Sequence, residues 1–309
     1  MSGTAAASYD WRISFDRAAQ VKAALIAVAF SVTFWGVYRT LYYHWTHNAD
    51  WSHGPLIPLF SAYLVYLKWD QIKRCPVRHA WVGLGLLIFA LAAYQYSLWG
   101  VLRIGYFRPL MMMLALLGVM ILLCGLPMLR YTWIAWAYLF FAIPLPKGVY
   151  FAITNPLREW AALVATAILG LFPNLDIEQT GSVINYFYDG RQGQLGVADA
   201  CSGMRSTITL CALGVAVAFI TDRPLWQRVV LIASCVPIAI FSNLIRVTVT
   251  CILHIFVDPA YAEGNFHMAL GLATILIAFG IFSGLAWMLN HLVIEDVEET
   301  ADPPTPSAA

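Results

Sequence analysis

Charged side chains are scarce in this chain. Only 11% of its 309 residues are Asp, Glu, Lys or Arg, whereas soluble domains carry about 25%. Hydrophobic residues make up 61% of the sequence, and the mean hydropathy is +0.71. This composition excludes a soluble globular domain and predicts an all-α polytopic membrane protein.

The sequence also lacks a basic excess and the common metal and hydrolase motifs. The formal net charge is +1, so no strong positive field attracts nucleic acid. The six cysteines include no CxxC pair and no zinc-type spacing, and both HExxH and GxSxG are missing. We therefore expect no nucleic-acid partner, no metal, no cofactor and no disulfide framework.

Apolar runs of about 17 to 25 residues can cross a bilayer. Such runs predict about eight transmembrane helices within a membrane domain at 21–292. Residues 1–20 are expected to form a cytoplasmic segment rather than a cleaved signal peptide, and 293–309 a disordered acidic tail. The predicted spans lie near 21–43, 54–69, 81–99, 107–126, 131–145, 200–221, 227–256 and 267–292.

The orientation of these spans follows from the basic residues in the short loops. Most of them fall on one side of the membrane if the count of spans is right, which makes that side cytoplasmic. Residues 147–171 are interrupted by Asn155, Pro156, Arg158 and Glu159, so they are interpreted as an amphipathic or re-entrant helix on the outer side. A full span there would invert the topology of everything that follows.

A polar segment at about 172–199 forms the predicted outer loop. Two strand-like runs, 182–188 and 194–197, flank the sequence Asp-Gly-Arg-Gln-Gly at 189–193. They predict a small extracytoplasmic β-hairpin that leads directly into Cys201. We expect this hairpin to bind an extended peptide by main-chain pairing, with Tyr186 and Tyr188 as the residues to test.

Three polar interruptions in the apolar sequence carry the candidate chemistry. Cys201 stands where the outer loop meets the sixth predicted span, and His267 begins the eighth on the same side. Arg246 lies about 20 residues into the seventh span, roughly 30 Å from its cytoplasmic start. The three residues are therefore expected at one depth, near the outer membrane boundary.

This set of side chains suggests acyl transfer through a thioester. Cys201 would be the nucleophile, since a helix N-terminus and Arg205 one turn away both favour its thiolate. Arg246 would stabilise the oxyanion and His267 would move the proton.

Each catalytic candidate also has a purely structural interpretation. Cys201 can be an inert core thiol, Arg246 can reach the interface or pair with Glu263, and His267 can line the interface. An arginine inside the membrane is nevertheless costly enough to indicate function. Ser202 and Asn243 complete the set of supporting candidates.

At these motifs the chain resembles the exosortase/archaeosortase family. The resemblance covers residues 20–292 and is carried by 197–205 with Ala-Cys-Ser-Gly-Met-Arg, by 237–247, by 262–267, and by Trp-Ser-His-Gly-Pro at 51–55. The family usually has Leu where Met204 stands, a volume-conserving difference.

The resemblance implies a membrane cysteine transpeptidase or protease of the bacterial inner membrane. Its substrates would be exported proteins with a C-terminal sorting signal of the PEP-CTERM kind: a short motif, a membrane helix and a basic cluster. By resemblance Cys201, Arg246 and His267 form the catalytic triad, facing the periplasm. Membrane lipids are the other expected contacts, and the acceptor nucleophile, whether lipid, glycan or water, stays open.

A non-enzymatic membrane protein is the main alternative. A carrier or exporter of an anionic or lipid-linked polysaccharide would use Arg205, Arg246 and Glu263 to hold its substrate. That interpretation predicts that Cys201 tolerates replacement by Ala.

Overall fold

A computed structural model describes residues 17–76, 80–99, 105–197, 203–221, 223–259 and 264–292. Cys201, Ser202 and Glu263 lie outside these ranges, and so does the side chain of His267, whose backbone lies in a helix. Eleven helices and three strands are found in the described part: α1 Arg17–Thr33, α2 Trp35–His47, α3 Leu56–Leu67, α4 Trp69–Arg74, α5 Trp81–Leu98, α6 Phe107–Cys124, α7 Leu126–Tyr138, α8 Lys147–Leu169, β1 Leu175–Thr180, β2 Val183–Tyr188, β3 Arg191–Gly196, α9 Met204–Ile220, α10 Leu225–Phe256 and α11 Gly264–Leu292.

Four helices of the described part are long and apolar enough to cross a membrane by themselves: α5, α6, α10 and most of α11. The number rises to six if each of two bent helix pairs forms one span, and α9 is a shorter apolar helix of 17 residues. The chain is thus a multi-pass membrane protein, as the composition predicted. The count of eight spans is not confirmed.

Two sharp bends account for the range from four to six spans, and the predicted spans 54–69 and 200–221 are not counted because α3 has only 12 residues and α9 only 17. The predicted span 21–43 is a helix pair, α1 and α2, bent by 71° near Phe34. Helices α7 and α8 form a second pair bent by 77°, on either side of a break that contains Pro144 and Pro146. Proline fixes its own φ and removes a backbone donor, so the helix cannot continue through this break. Residues 147–171 are therefore largely one 23-residue helix packed against its neighbours.

Helix α10 lies at the centre of the C-terminal half and packs against α8, α9 and α11. Its Cys235 and Ala239 are buried against α9 and against Phe282 of α11. On α8, Ala161, Ala162 and Ala165 are fully buried, and side chains this small let two helices approach closely without voids. This packing fixes the depth of the polar residues on α10 relative to both neighbours.

The outer loop is a three-stranded antiparallel sheet of order β1-β2-β3. The predicted hairpin is confirmed as β2 and β3, which turn at Asp189 (φ +48°) and Gly190 (φ +75°). Strand β1 was missed, although Leu175 and Ile177 alternate with Asp176 and Glu178 as in a half-buried strand. The sheet packs through Ile184 onto α8 and the end of α10.

Polar side chains join the N-terminal helices to the rest of the bundle. Ser61 Oγ on α3 donates to the Ala135 carbonyl oxygen at 2.8 Å, and the Trp45 indole donates to Ala142 at 2.8 Å. A polar group in an apolar medium needs a partner, so these bonds specify which helices neighbour each other. Helix α9 also contacts α3 and the Ala49–Trp51 turn, which brings the start of α9 against the connection between α2 and α3.

Candidate functional site

The start of helix α9 follows Cys201 by three residues. Gly203 occupies the N-cap with φ +74°, a left-handed conformation that is inexpensive for glycine alone. Both the backbone N–H and the hydroxyl of Thr207 donate to the Gly203 carbonyl oxygen at 2.9 Å, closing the first turn. A left-handed glycine therefore immediately precedes the first turn of α9.

Arg246 lies on α10 with only 6% of its surface exposed. Its Nη2 donates to Oδ1 of Asn243 at 2.8 Å, one helical turn earlier, and Asn243 is equally buried. Removing a guanidinium from water costs several kcal/mol or more unless hydrogen bonds and counter-charges compensate. A buried arginine held by a neighbouring amide in this way is oriented rather than free to reach the interface.

Asn243 also contacts the turn that precedes α9. A Cβ atom built on Gly203 would lie 2.7 Å from Cγ of Asn243 and 2.9 Å from its Nδ2. Real Cβ atoms do not approach other heavy atoms so closely, so only glycine fits here. Asn243 thus lies between Gly203, two residues from Cys201, and the guanidinium of Arg246.

Helix α11 reaches the same place through Gly271. A Cβ atom on Gly271 would lie 3.7 Å from Nη1 of Arg246. Position 267 is one turn earlier on α11, and positions four apart share a helix face. The face of α11 that carries positions 267 and 271 is therefore the one directed toward Arg246.

Enlarging Gly271 tests this approach of α11 to Arg246. For the precursor cleavage that the family resemblance implies, Gly271→Ala adds only an ordinary contact and should change the rate less than about 2-fold, while Gly271→Leu should lower it about 10-fold, because small displacements of reacting groups are costly. The rate is measured from precursor conversion in cells. Gly284→Leu is the matched control on α11, since a Cβ there meets nothing within 4 Å; equal losses at both positions would contradict the inference.

A second polar cluster was not found by sequence reasoning. Asp50 follows α2, and its Oδ2 accepts a hydrogen bond from the Tyr150 hydroxyl of α8 at 2.6 Å. Its Oδ1 lies 3.8 Å from Nε of Arg205, in the first turn of α9. In the sequence, the polar run 48–53 between two apolar helices could have indicated this cluster. Arg205 thus faces a carboxylate, and its support of a Cys201 thiolate stays a prediction.

His53 adds a buried imidazole to the same region, in the connection between α2 and α3. Burial lowers the pKa of His53 below its ordinary value, and the carbonyl groups of Phe141 and Asp50 with the Asp50 carboxylate oppose this only in part. The imidazole is consequently neutral at pH 7. The stretch 48–53 carried the resemblance through Trp51 and His53, yet neither residue was predicted as part of the site.

The sheet lies beside the last turns of α10. Tyr186 makes an edge contact with the His254 ring, with 5.8 Å between the ring centroids, and Tyr188 packs on Phe256 at 4.8 Å. Both tyrosines therefore anchor the sheet to α10. Replacing them would test this packing and not peptide binding alone.

The predicted site residues fall into three groups. Arg246 and Asn243 are in contact, and Arg205 lies with Asp50 in the separate polar cluster. Cys201, Ser202, Glu263 and the His267 side chain are outside the described part of the chain, so the triad itself stays a prediction. Within the described ranges, no group of three His, Cys, Asp or Glu side chains could hold a metal ion.

Comparison with known proteins gave one family. The family model described as transmembrane exosortase matches residues 45–284, which is more than three quarters of the chain. This range includes α3 to α10, the sheet and most of α11. No match was found among the curated proteins or the solved structures.

Proposed function

Because this chain belongs to the transmembrane exosortase family, we propose that it is a membrane-embedded cysteine transpeptidase or protease. It cleaves the C-terminal sorting signal of exported proteins at the outer membrane face, through a thioester between the substrate and Cys201. The signal is of the PEP-CTERM kind, with a short motif, a membrane helix and a basic cluster. The enzyme resides in a bacterial inner membrane with its active site facing the periplasm.

The observation that carries this proposal is the meeting of three chain segments around one buried guanidinium. Gly203 touches Asn243, Asn243 binds Arg246, and Arg246 faces Gly271. These contacts connect the segment after Cys201, the middle of α10 and the His267-bearing end of α11. Cysteine, arginine and histidine on such segments are the groups that acyl transfer needs.

The reaction has two steps. The Cys201 thiolate adds to the scissile carbonyl carbon, and the oxyanion is stabilised by the Arg246 guanidinium. The C–N bond then breaks as His267 donates a proton to the leaving nitrogen, which leaves a thioester on Cys201. An acceptor nucleophile, from a lipid, a glycan or water, adds to the thioester, loses its proton to His267 and releases the thiolate.

We propose that strand β3 holds the recognition motif in an extended conformation. Strand β3 is at the edge of the sheet order β1-β2-β3 and ends at Gly196, five residues before Cys201. A peptide paired with this edge would run toward the nucleophile, with affinity from main-chain hydrogen bonds. The motif would then lie outside the membrane while its following helix enters the bilayer.

The decisive experiment is Cys201→Ala in the native host. An exported protein with a C-terminal helix and basic tail is followed by its size on a gel, and enzyme abundance is measured in the same cells. Accumulation of uncleaved precursor at normal enzyme abundance is the expected result, and Cys124→Ala, at the end of α6, should process normally. Normal processing by Cys201→Ala would exclude Cys201 as the nucleophile. It would favour the alternative function, a carrier of an anionic or lipid-linked polysaccharide.

A further inference from the structure

An apolar cavity of about 430 Å³ lies among α8, α9, α10 and the connection between α7 and α8. On α9 it is lined by Met204, Thr207, Ile208 and Cys211, which share one helix face. From Met204 to Cys211 the helix rises roughly 10 Å along its axis. The cavity therefore begins at the turn after Cys201 and continues about two helical turns into the membrane.

The cavity is open sideways. Ile153 on α8 and Val236 on α10 line it and are also 42% and 45% exposed. Apolar side chains exposed on membrane helices face lipid, so an occupant can enter between α8 and α10 without leaving the bilayer. Phe141 and Ile240 also line the cavity and are less exposed than these two residues, so this part of the wall is apolar as well.

A polar cluster that is close to electrically balanced adjoins the end of the cavity formed by Trp51 and Met204. Trp51 lines the cavity and follows Asp50 directly, while Met204 is followed by Arg205. Asp50 and Arg205 face each other, and the Tyr150 hydroxyl completes the cluster. An occupant must therefore combine a neutral polar part at this level with an apolar part about 10 Å long below it.

We propose that this cavity binds the first two turns of the substrate's own membrane segment, immediately after the scissile bond. The inference rests on the proposed function and adds where the substrate's helix is held. With apolar side chains of that segment between α8 and α10, the preceding peptide bond lies at the start of α9. The cavity volume is in the range of ordinary ligand sites, enough for a few apolar side chains.

Charge favours a peptide over a phospholipid in this position. A lipid acyl chain would fit the apolar walls, but its phosphate would lie at the level of Asp50, whose carboxylate repels an anion. Arg205, the nearby cation, already faces that carboxylate at 3.8 Å. The main chain of a peptide is neutral and can hydrogen-bond to both groups.

Photocrosslinking in the Cys201→Ala background tests the proposal. Benzoylphenylalanine replaces Val236, and irradiation of intact cells should give an adduct with the size of enzyme plus precursor. The matched control is Phe241, 54% exposed on the same helix but about 140° around its axis and not lining the cavity. Three results would overturn the proposal. These are equal amounts of adduct at both positions, an adduct at position 236 whose mass identifies a lipid, and the absence of a protein adduct while the precursor accumulates.

Filling the cavity gives an independent result with Cys201 in place. Ile240→Trp should slow processing at least about 10-fold, because the larger side chain would fill the space that the substrate's side chains need. Phe241→Trp, its neighbour facing lipid, should process normally. Alkylation of Cys201 by N-ethylmaleimide should be unchanged in both, which separates a blocked cavity from a damaged nucleophile. Normal processing by Ile240→Trp would overturn the inference, whereas failure of the proposed function shows as normal processing by Cys201→Ala.

Discussion

Arg246→Lys is expected to lower the rate of sorting-signal cleavage at least about 100-fold, in the range found for the loss of an oxyanion donor. The substitution keeps the positive charge, so the loss comes from geometry. The guanidinium presents a rigid fork whose Nη2 donates to Asn243 and whose Nη1 points toward Gly271 of α11. An ammonium on a flexible stem cannot occupy both directions at once.

Pulse-chase labelling of the precursor measures this rate, with enzyme abundance determined in the same cells. Arg228→Lys is the control, because Arg228 lies in the first turn of α10, far along the helix from Arg246, with its guanidinium over the Phe219 ring at 5.1 Å. It should process at the wild-type rate. Wild-type processing by Arg246→Lys would show that only charge matters at this position and would remove its assignment to the oxyanion.

The contact between Asn243 and Arg246 also predicts non-additive effects. Asn243→Ala should slow cleavage by itself, because it releases the guanidinium from its 2.8 Å hydrogen bond. The double variant Asn243→Ala with Arg246→Lys should cleave about as slowly as Arg246→Lys alone, because the two residues belong to one hydrogen-bond network and their effects are not additive. Full additivity would mean that Asn243 acts independently of Arg246.

Gly203→Ala is expected to lower cleavage about 100-fold, the cost typical of reacting groups displaced by about 1 Å. Two effects combine at this position. A left-handed φ costs a non-glycine residue roughly 1–2 kcal/mol, and the new Cβ would stand 2.7 Å from Cγ of Asn243. Either Asn243 or the turn after Cys201 must move, and both belong to the proposed site.

Gly190→Ala separates the two effects. Gly190 has φ +75°, against +74° for Gly203, but a Cβ there meets nothing within 4 Å. In a thermal melt in detergent both variants should lose the stability that the left-handed φ costs, Gly203→Ala more because of its contact with Asn243, and only Gly203→Ala should lose cleavage. Equal cleavage by the two variants would show that Asn243 does not need to contact the turn.

Sequence reasoning identified those features that depend on local composition. Apolar runs long enough to cross a bilayer predicted α5, α6, α10 and α11, and the Asp189-Gly190 pair predicted the turn between β2 and β3. Arg246 stood out because a charge inside an apolar run is costly wherever it lies. Strand β1 was overlooked although its six residues alternate as in a half-buried strand.

The polar cluster at Asp50 could not be found in this way. Asp50 and Tyr150 are 100 positions apart, and Arg205 is 55 positions further along. No local pattern relates these residues, because their contact depends on how α8 and α9 pack against the connection between α2 and α3. The same holds for the cavity, whose walls come from five separate parts of the chain.

The sequence by itself determined that this is a multi-pass membrane protein, with polar residues at the ends of its apolar runs, because transfer of side chains to lipid depends on composition alone. The tertiary structure decided which polar residues meet. It placed Asn243 between Gly203 and Arg246, paired Arg205 with Asp50 and bent α7 against α8. Those contacts join segments that are distant in sequence. Side-chain size and hydrogen bonding determine them only once the helices pack against one another.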